Sequence, residues 1–223
     1  MKDVASFASW VGVALVTLLP IVNPVSTAIL LLSISTHLTE EERNRQVKRA
    51  CIYMTIILFS FLFVGHFIIV GFGISIPGIN IAGGMVIGFL GFTMLFPRED
   101  SVTEEGKKEA GEKADISFSP LAMPSLSGPG SIAVVITMSS EIGFRHGFDK
   151  VLAFAGVVVA IIITAIISWI VLRGAGVMRR YFGVNGVNSL SRIMGFLLIC
   201  IGIQFIVNGI RDLALDKSFW QGS

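Results

Sequence analysis

The sequence predicts an all-α membrane protein of six transmembrane helices, built as two inverted three-helix repeats, with helices one and four broken at proline motifs. Three observations predict it. Of the 223 residues, 53% are hydrophobic and only 14% are charged, and the mean hydropathy is +0.81. A soluble domain carries about a quarter charged residues, and one soluble core could not hide this much apolar surface. Six stretches reach the roughly 20 mostly apolar residues that a spanning helix needs. Finally, two proline-centred motifs recur at corresponding places in the two halves of the chain.

The six stretches are 7–36, 48–71, 79–97, 117–140, 150–172 and 190–211. The first follows Lys2 and could pass for a signal peptide. It lacks an A-x-A-like cleavage site and continues past Pro24 into more apolar sequence, so it counts as helix one. The connections are polar and mostly short: a charged segment His37–Arg49, a Gly/Pro turn Gly71–Gly78, and one long soluble stretch, Arg98–Ser117. Within that stretch Glu104/Lys108 and Glu109/Lys113 have i,i+4 spacing. Without an apolar face, a mobile linker is the expected state. The chain therefore divides into a first repeat (1–97), a cytoplasmic linker (98–116) and a second, inverted repeat (117–223).

Orientation follows from the distribution of Lys and Arg. The loops after helices one, three and five carry eleven: Arg43, Arg45, Lys48, Arg49, Arg98, Lys107, Lys108, Lys113, Arg173, Arg179 and Arg180. The opposite side, with both termini, carries five: Lys2, Arg145, Lys150, Arg211 and Lys217. Both termini are expected outside, with the long linker in the cytoplasm of a cell whose inner membrane holds the protein. Cys51 and Cys200 lie inside apolar runs and are expected as buried small hydrophobes. No concentrated basic patch with interleaved aromatics points to nucleic acid.

The repeat is visible when Asn23-Pro24 is placed over Gly128-Pro129. NPVSTAILLLSIS (23–35) then aligns with GPGSIAVVITMSS (128–140), with identities at Pro24/Pro129, Ser26/Ser131, Ala28/Ala133 and Ser35/Ser140. Gly84 and Gly91 likewise align with Gly195 and Gly202. Each half reads as a broken helix, a plain helix and a glycine-striped helix. Three spans per unit is an odd number, so the second unit enters the membrane upside down, as in many transporters.

The broken helices are the candidate site. A straight helix over 7–36 would extend roughly 45 Å at about 1.5 Å per residue, and Pro20 and Pro24 are expected to divide it. In helix four, Pro120, Pro124 and Pro129 flank Gly128 and Gly130. Irregular backbone at membrane depth survives only against protein, water or ligand. A half-helix starting near Ser26 or Ser131 would aim free N–H groups at a carboxylate. Carbonyls ending the preceding half-helix would suit an ammonium group or small cation. Asn23, Pro24, Ser26, Thr27, Ser125, Ser127, Gly128, Pro129, Gly130 and Ser131 make up the candidate substrate site. The bland counterpart is a pair of proline kinks that merely shape the bundle.

At LLPIVNPVSTA (18–28), PLAMPSLSGPGSIA (120–133), IAGG (81–84) and SRIMG (191–195) the chain resembles the MarC family of integral membrane proteins, also described as neutral amino acid transporters. The resemblance spans essentially the full length. It implies transport of small neutral amino acids such as glycine, alanine, serine or threonine. After Asn-Pro the family pattern expects a small residue, often Gly, where this chain has Val25-Ser26; a bulkier residue there narrows the first break.

No Asp or Glu lies in the middle of any expected span, which weighs against carboxylate-based proton coupling. Coupling to sodium, or none, stays open, and no bound cofactor or metal is expected. His66, the one histidine inside a span, reads as a packing or interfacial residue, with proton coupling as the alternative. Thr93 and Gln204 are pathway candidates, with interhelical hydrogen bonding as the plainer role for Gln204 and Asn208. Arg192 is either a gating residue or one that snorkels to the headgroups. The leading expectation is a secondary carrier for a small neutral amino acid in the lipid bilayer. A small-solute channel or a non-transporting structural protein is the alternative. An enzyme is not expected, because no nucleophile–base pair or ligand set lies at membrane depth.

Overall fold

The computed structural model describes residues 2–96 and 115–215. Those residues form helices and short connections only. Most of the 98–116 linker, with its paired charges, lies outside the described residues, as do Lys217 and Trp220.

Eight segments follow in order: α1 (Lys2–Val22), α2 (Pro24–Ile34), α3 (Glu40–Gly71), α4 (Ile76–Leu95), α5 (Ser117–Leu126), α6 (Pro129–Gly143), α7 (Gly147–Arg173) and α8 (Ala175–Leu215). Among the described residues, five helical stretches are long and apolar enough to cross a membrane: Asp3–Ile34, Glu40–Gly71, Ile76–Leu95, Gly147–Arg173 and Ser189–Leu215. The pair α5 and α6, bent by 61°, makes a sixth when taken as one span.

Local chemistry explains the boundaries. Thr39 caps α3 in a reciprocal capping box: its hydroxyl accepts from the Glu42 N–H, and the Glu42 carboxylate accepts from the Thr39 N–H. Ser75 accepts from the Gly78 N–H, and Pro77 sits in the first turn of α4, so that helix starts earlier than its apolar run suggests. The sequence read the charged segment after helix five as a connection. The structure makes it helix: α8 begins at Ala175, directly after Gly174. Arg and other long polar residues are good helix formers, and charge marks where a helix leaves the apolar layer, not where it ends. Pro20 also behaves otherwise than expected, lying inside α1 without ending it.

Helices pack by small residues and by leucine-rich faces. The most extensive contact joins α4 to α8. A Cβ on Gly84 would fall 2.5 Å from the Gly202 carbonyl oxygen, and one on Gly91 would fall 2.5 Å from that of Gly195. Only glycine permits this approach. Between α3 and α6, the Ser139 hydroxyl donates to the Leu62 carbonyl (2.7 Å) and accepts from the His66 N–H (3.0 Å). Those two groups are the i and i+4 ends of one turn of α3, so Ser139 docks α6 on the α3 backbone. Leu18, Leu31, Met54, Leu58, Ile87, Leu126, Ile161, Leu172 and Leu198 fill the interior. Large apolar side chains such as Ile56, Phe63, Phe67, Ile166 and Ile170 lie on the outer surface, as suits a bundle solvated by lipid. Cys200 joins them: it is exposed, and only Cys51 is buried, correcting the expectation for the pair. Cys200 carries no polar demand, so the outward face of α8 accommodates it.

Candidate functional site

The two proline motifs produce different geometries. At the first, Asn23 adopts φ 45° and ψ 66°, the left-handed region that Asn tolerates better than most residues. Bonds from the Asn23 N–H to Leu19 O (3.1 Å) and from the Thr27 N–H to Asn23 O (3.3 Å) nevertheless bridge α1 and α2. Asn23 also caps α2, its side-chain oxygen accepting from the Ser26 N–H at 3.2 Å. The N-terminus of α2 is thus partly satisfied by the chain itself.

The second motif departs much further from helix. Ser119 (φ −126°, ψ 122°) and Met123 (φ −129°, ψ 125°) are extended, and each precedes a proline whose ring disfavours the helical region for its neighbour. Both Ser119–Pro120 and Met123–Pro124 are cis. The intervening bonds are wide, from Leu121 N–H to Ile116 O (3.3 Å) and from Ser127 N–H to Ala122 O (2.8 Å). Gly128 is required by space, since a Cβ there would lie 2.6 Å from the Pro124 carbonyl oxygen. No side chain caps α6. Three prolines and two glycines act here where one proline acts at Asn23, which accounts for the difference.

The motifs meet. Thr27 Oγ1 and Ser125 Oγ are 2.8 Å apart although 98 positions separate them. Around that pair lies a cavity of about 240 Å³ lined by Ile21, Asn23, Ser26, Thr27, Leu90, Thr93, Met94, Pro124, Ser125, Gly128, Pro129, Gly130, Ser131 and Leu198. The Asn23 amide donates to Met94 Sδ at 3.1 Å, and the Ser131 hydroxyl turns back to Gly128 O at 2.9 Å. Thr93 donates to Leu90 O (2.8 Å) while lining the cavity.

Other candidates fall elsewhere. Pro24 and Ser127 are buried beside the breaks without lining this cavity, and Ser127 Oγ has no hydrogen-bond partner. Gln204 donates to Asn208 at 2.9 Å along α8. Both line a second cavity of about 570 Å³, with Trp10, Thr17, Asn80, Thr137, Glu141, Arg211 and Asp212 among its walls. Arg192 is exposed on α8 and lines neither cavity. His66 packs edge-on against Phe144, with ring centroids 5.2 Å apart, and Gly143 lies against its ring. The sequence reading missed Asn80 and Thr137. Their signal was present as polar side chains within apolar helices, in register with the better-marked residues.

A bundle of long apolar helices with an outer surface of large apolar side chains defines a polytopic integral membrane protein. Comparison with known proteins gives the family: residues 8–214 match the model of the MarC family integral membrane protein. The chain is similar to the UPF0056 inner membrane protein MarC of Escherichia coli strain UTI89, at 40% identity over 210 residues, covering 91% of this chain and 95% of the relative. It is equally similar to the protein of that name from Salmonella typhimurium, at 40% identity over 211 residues with the same coverage. The chain belongs to the MarC family. No solved structure matches it.

Proposed function

We propose that the protein is a secondary carrier of the inner membrane for a small neutral amino acid, bound in the cavity between the two proline motifs. The observation that carries this reading is the hydroxyl pair Thr27–Ser125, which joins the motifs at 2.8 Å beside a mostly apolar cavity of about 240 Å³ that holds a few polar side chains. That volume lies below the roughly 300–1,000 Å³ of sites for drug-sized ligands and suits a solute of a few heavy atoms. The α6 N-terminus, uncapped by any side chain, favours the carboxylate through its N–H groups and dipole. The hydroxyls of Ser26, Thr27 and Ser125 and the Asn23 side chain offer partners for the ammonium group. This assignment gives the two motifs unequal roles, because Asn23 already caps α2. On this reading the chain is not an enzyme, and sodium coupling, proton coupling through His66 and uniport are its alternatives.

The inverted repeat fits the packing. Exchanging α1 with α5, α2 with α6, α3 with α7 and α4 with α8 turns the α1–α7 contact into α5–α3. It turns α3–α6 into α7–α2 and α4–α6 into α8–α2, and all of these contacts occur. The same exchange turns the Gly84–Gly202 approach into Gly195–Gly91. Two related halves joined at a close-packed glycine seam, which would serve as a fixed pivot, fit an alternating-access carrier. The Lys and Arg bias supports an orientation with both termini outside.

Purified protein in liposomes preloaded with unlabelled alanine tests the reading. Saturable accumulation of labelled alanine, competed by glycine, serine and threonine, is the expected result. Flux that rises linearly with concentration, or none, would overturn it.

A further inference from the structure

The two cavities lie end to end along the same helix faces. On α1 the larger cavity is lined by Trp10, Val13 and Thr17, and the smaller by Ile21. On α8 the larger has Asn208, Gln204 and Ile201, and the smaller has Leu198. On α6 the order is Glu141, Thr137 and Val134, then Ser131 and Gly130. Steps of three or four residues keep each series on one face, so the larger cavity stops about one helical turn short of the smaller. Its far end lies where α1 begins and α8 ends, beside Trp10 and Arg211.

What separates them is a dry layer. Ile21 is 7% exposed, Leu198 2%, and Ile87 and Val134 are fully buried. Gly130 sits in this layer: a Cβ on it would come within 3.2 Å of Ile21 and Leu90 and 3.5 Å of Ile87. Polar residues in apolar spans are costly unless they face protein or water. Thr17, Asn80, Thr137, Gln204 and Asn208 all line the larger cavity; Thr17 and Thr137 bond back to their own helices and Gln204 bonds Asn208, and their remaining polar capacity offers partners to water.

We propose that the larger cavity is a hydrated vestibule receiving small zwitterionic solutes on the face where α1 begins, and that Ile21, Ile87 and Leu198 around Gly130 form the gate to the smaller cavity. Carboxylates at Glu141 and Asp212 with Arg211 at the mouth, and apolar walls from Val13, Ile201 and Phe205, match a molecule bearing both charges and a short side chain. The structure is then the state open to the vestibule and shut at an apolar constriction, which blocks water and solute by dewetting. This inference rests on the carrier reading above, and it adds the route and the gate.

Cysteine accessibility tests it on the full chain in lipid nanodiscs, with Cys51→Ser and Cys200→Ser as background and a charged, water-soluble thiosulfonate as probe. Thr137→Cys and Gln204→Cys report the vestibule; Ser131→Cys reports the far side of the gate. The vestibule positions are expected to react at least about tenfold faster than Ser131→Cys, and Leu198→Ala or Ile87→Ala is expected to close that gap, as removal of a dewetted constriction should. Two gate variants and two vestibule variants guard against one failing to fold, which gel filtration reports. Unreactive vestibule positions, or a Ser131→Cys rate unmoved by either folded gate variant, would overturn the inference. The readout needs no transport: a wet vestibule with no alanine flux sinks the carrier reading alone, and flux with a dry vestibule sinks this route alone.

Discussion

At the residue scale, the site depends on a few short polar side chains whose structural worth is small. A hydrogen bond between membrane helices contributes about 0.6 kcal/mol on average and up to about 1.7. Replacing Thr27 with Val should therefore cost less than about 2 kcal/mol and leave the fold intact. If the Thr27–Ser125 pair contacts solute, Thr27→Val and Ser125→Ala should each lower alanine uptake by about tenfold, and the double variant should lose little more than either single one. Unchanged uptake in folded variants would remove the pair from the site. The residues involved were legible beforehand, because Asn-Pro and Gly-Pro-Gly advertise backbone that cannot continue as plain helix. Their meeting was not, since nothing local to residue 27 encodes a neighbour at residue 125. Nor did the spacing reveal that Asn23 would satisfy its own helix.

At the scale of elements, the α4–α8 seam is the contact least able to change. A side chain at Gly202 would meet the Gly84 carbonyl oxygen at 2.6 Å and the Gly88 nitrogen at 2.6 Å. Backbone cannot retreat as a flexible side chain can, so Gly202→Leu should destabilise by at least about 1–3 kcal/mol, the usual cost of overpacking. Thermal unfolding in detergent measures it, and an unshifted midpoint would deny the close approach. At the other end of the bundle, the start of α5 is moored to α3. Gln46 accepts from the Ile116 N–H at 2.7 Å, and Arg49 reaches Asp115 at 3.3 Å. Bonds from the Ser117 hydroxyl and N–H, then the nearby Arg49 guanidinium, hold the Asp115 carboxyl below the usual range. A carboxylate with a lowered folded pKa stabilises above its unfolded pKa, about 3.9, and that contribution fades as pH falls through the folded value. Asp115 is half exposed, so Asp115→Asn should lose under about 1 kcal/mol at pH 7. The difference from wild type should vanish at pH values below the lowered pKa. A difference that grows on acidification would reverse the assignment.

For the whole molecule, a carrier must bind its solute more tightly than it binds unrelated ones, and any such ligand raises apparent stability by mass action. At 100 times its dissociation constant the gain is about 2.7 kcal/mol. A thermal-shift panel of amino acids, with and without sodium, should pick out glycine, alanine, serine or threonine over charged ones. A sodium-dependent shift would name the coupling ion. Equal shifts for all solutes would argue against a selective site.

Hydropathy and the two proline motifs determined by themselves that this chain is a membrane bundle and where its helices are weakest. Both properties are local: about 20 apolar residues must leave water, and a proline lacks an N–H wherever it stands. The tertiary structure alone decided that the second motif bends by 61° while the first stays nearly helical. It alone carried α8 through charged sequence and aligned two cavities on the faces of α1, α6 and α8. Those outcomes depend on which faces meet and how closely glycines let them approach, and such distances join residues far apart in the chain.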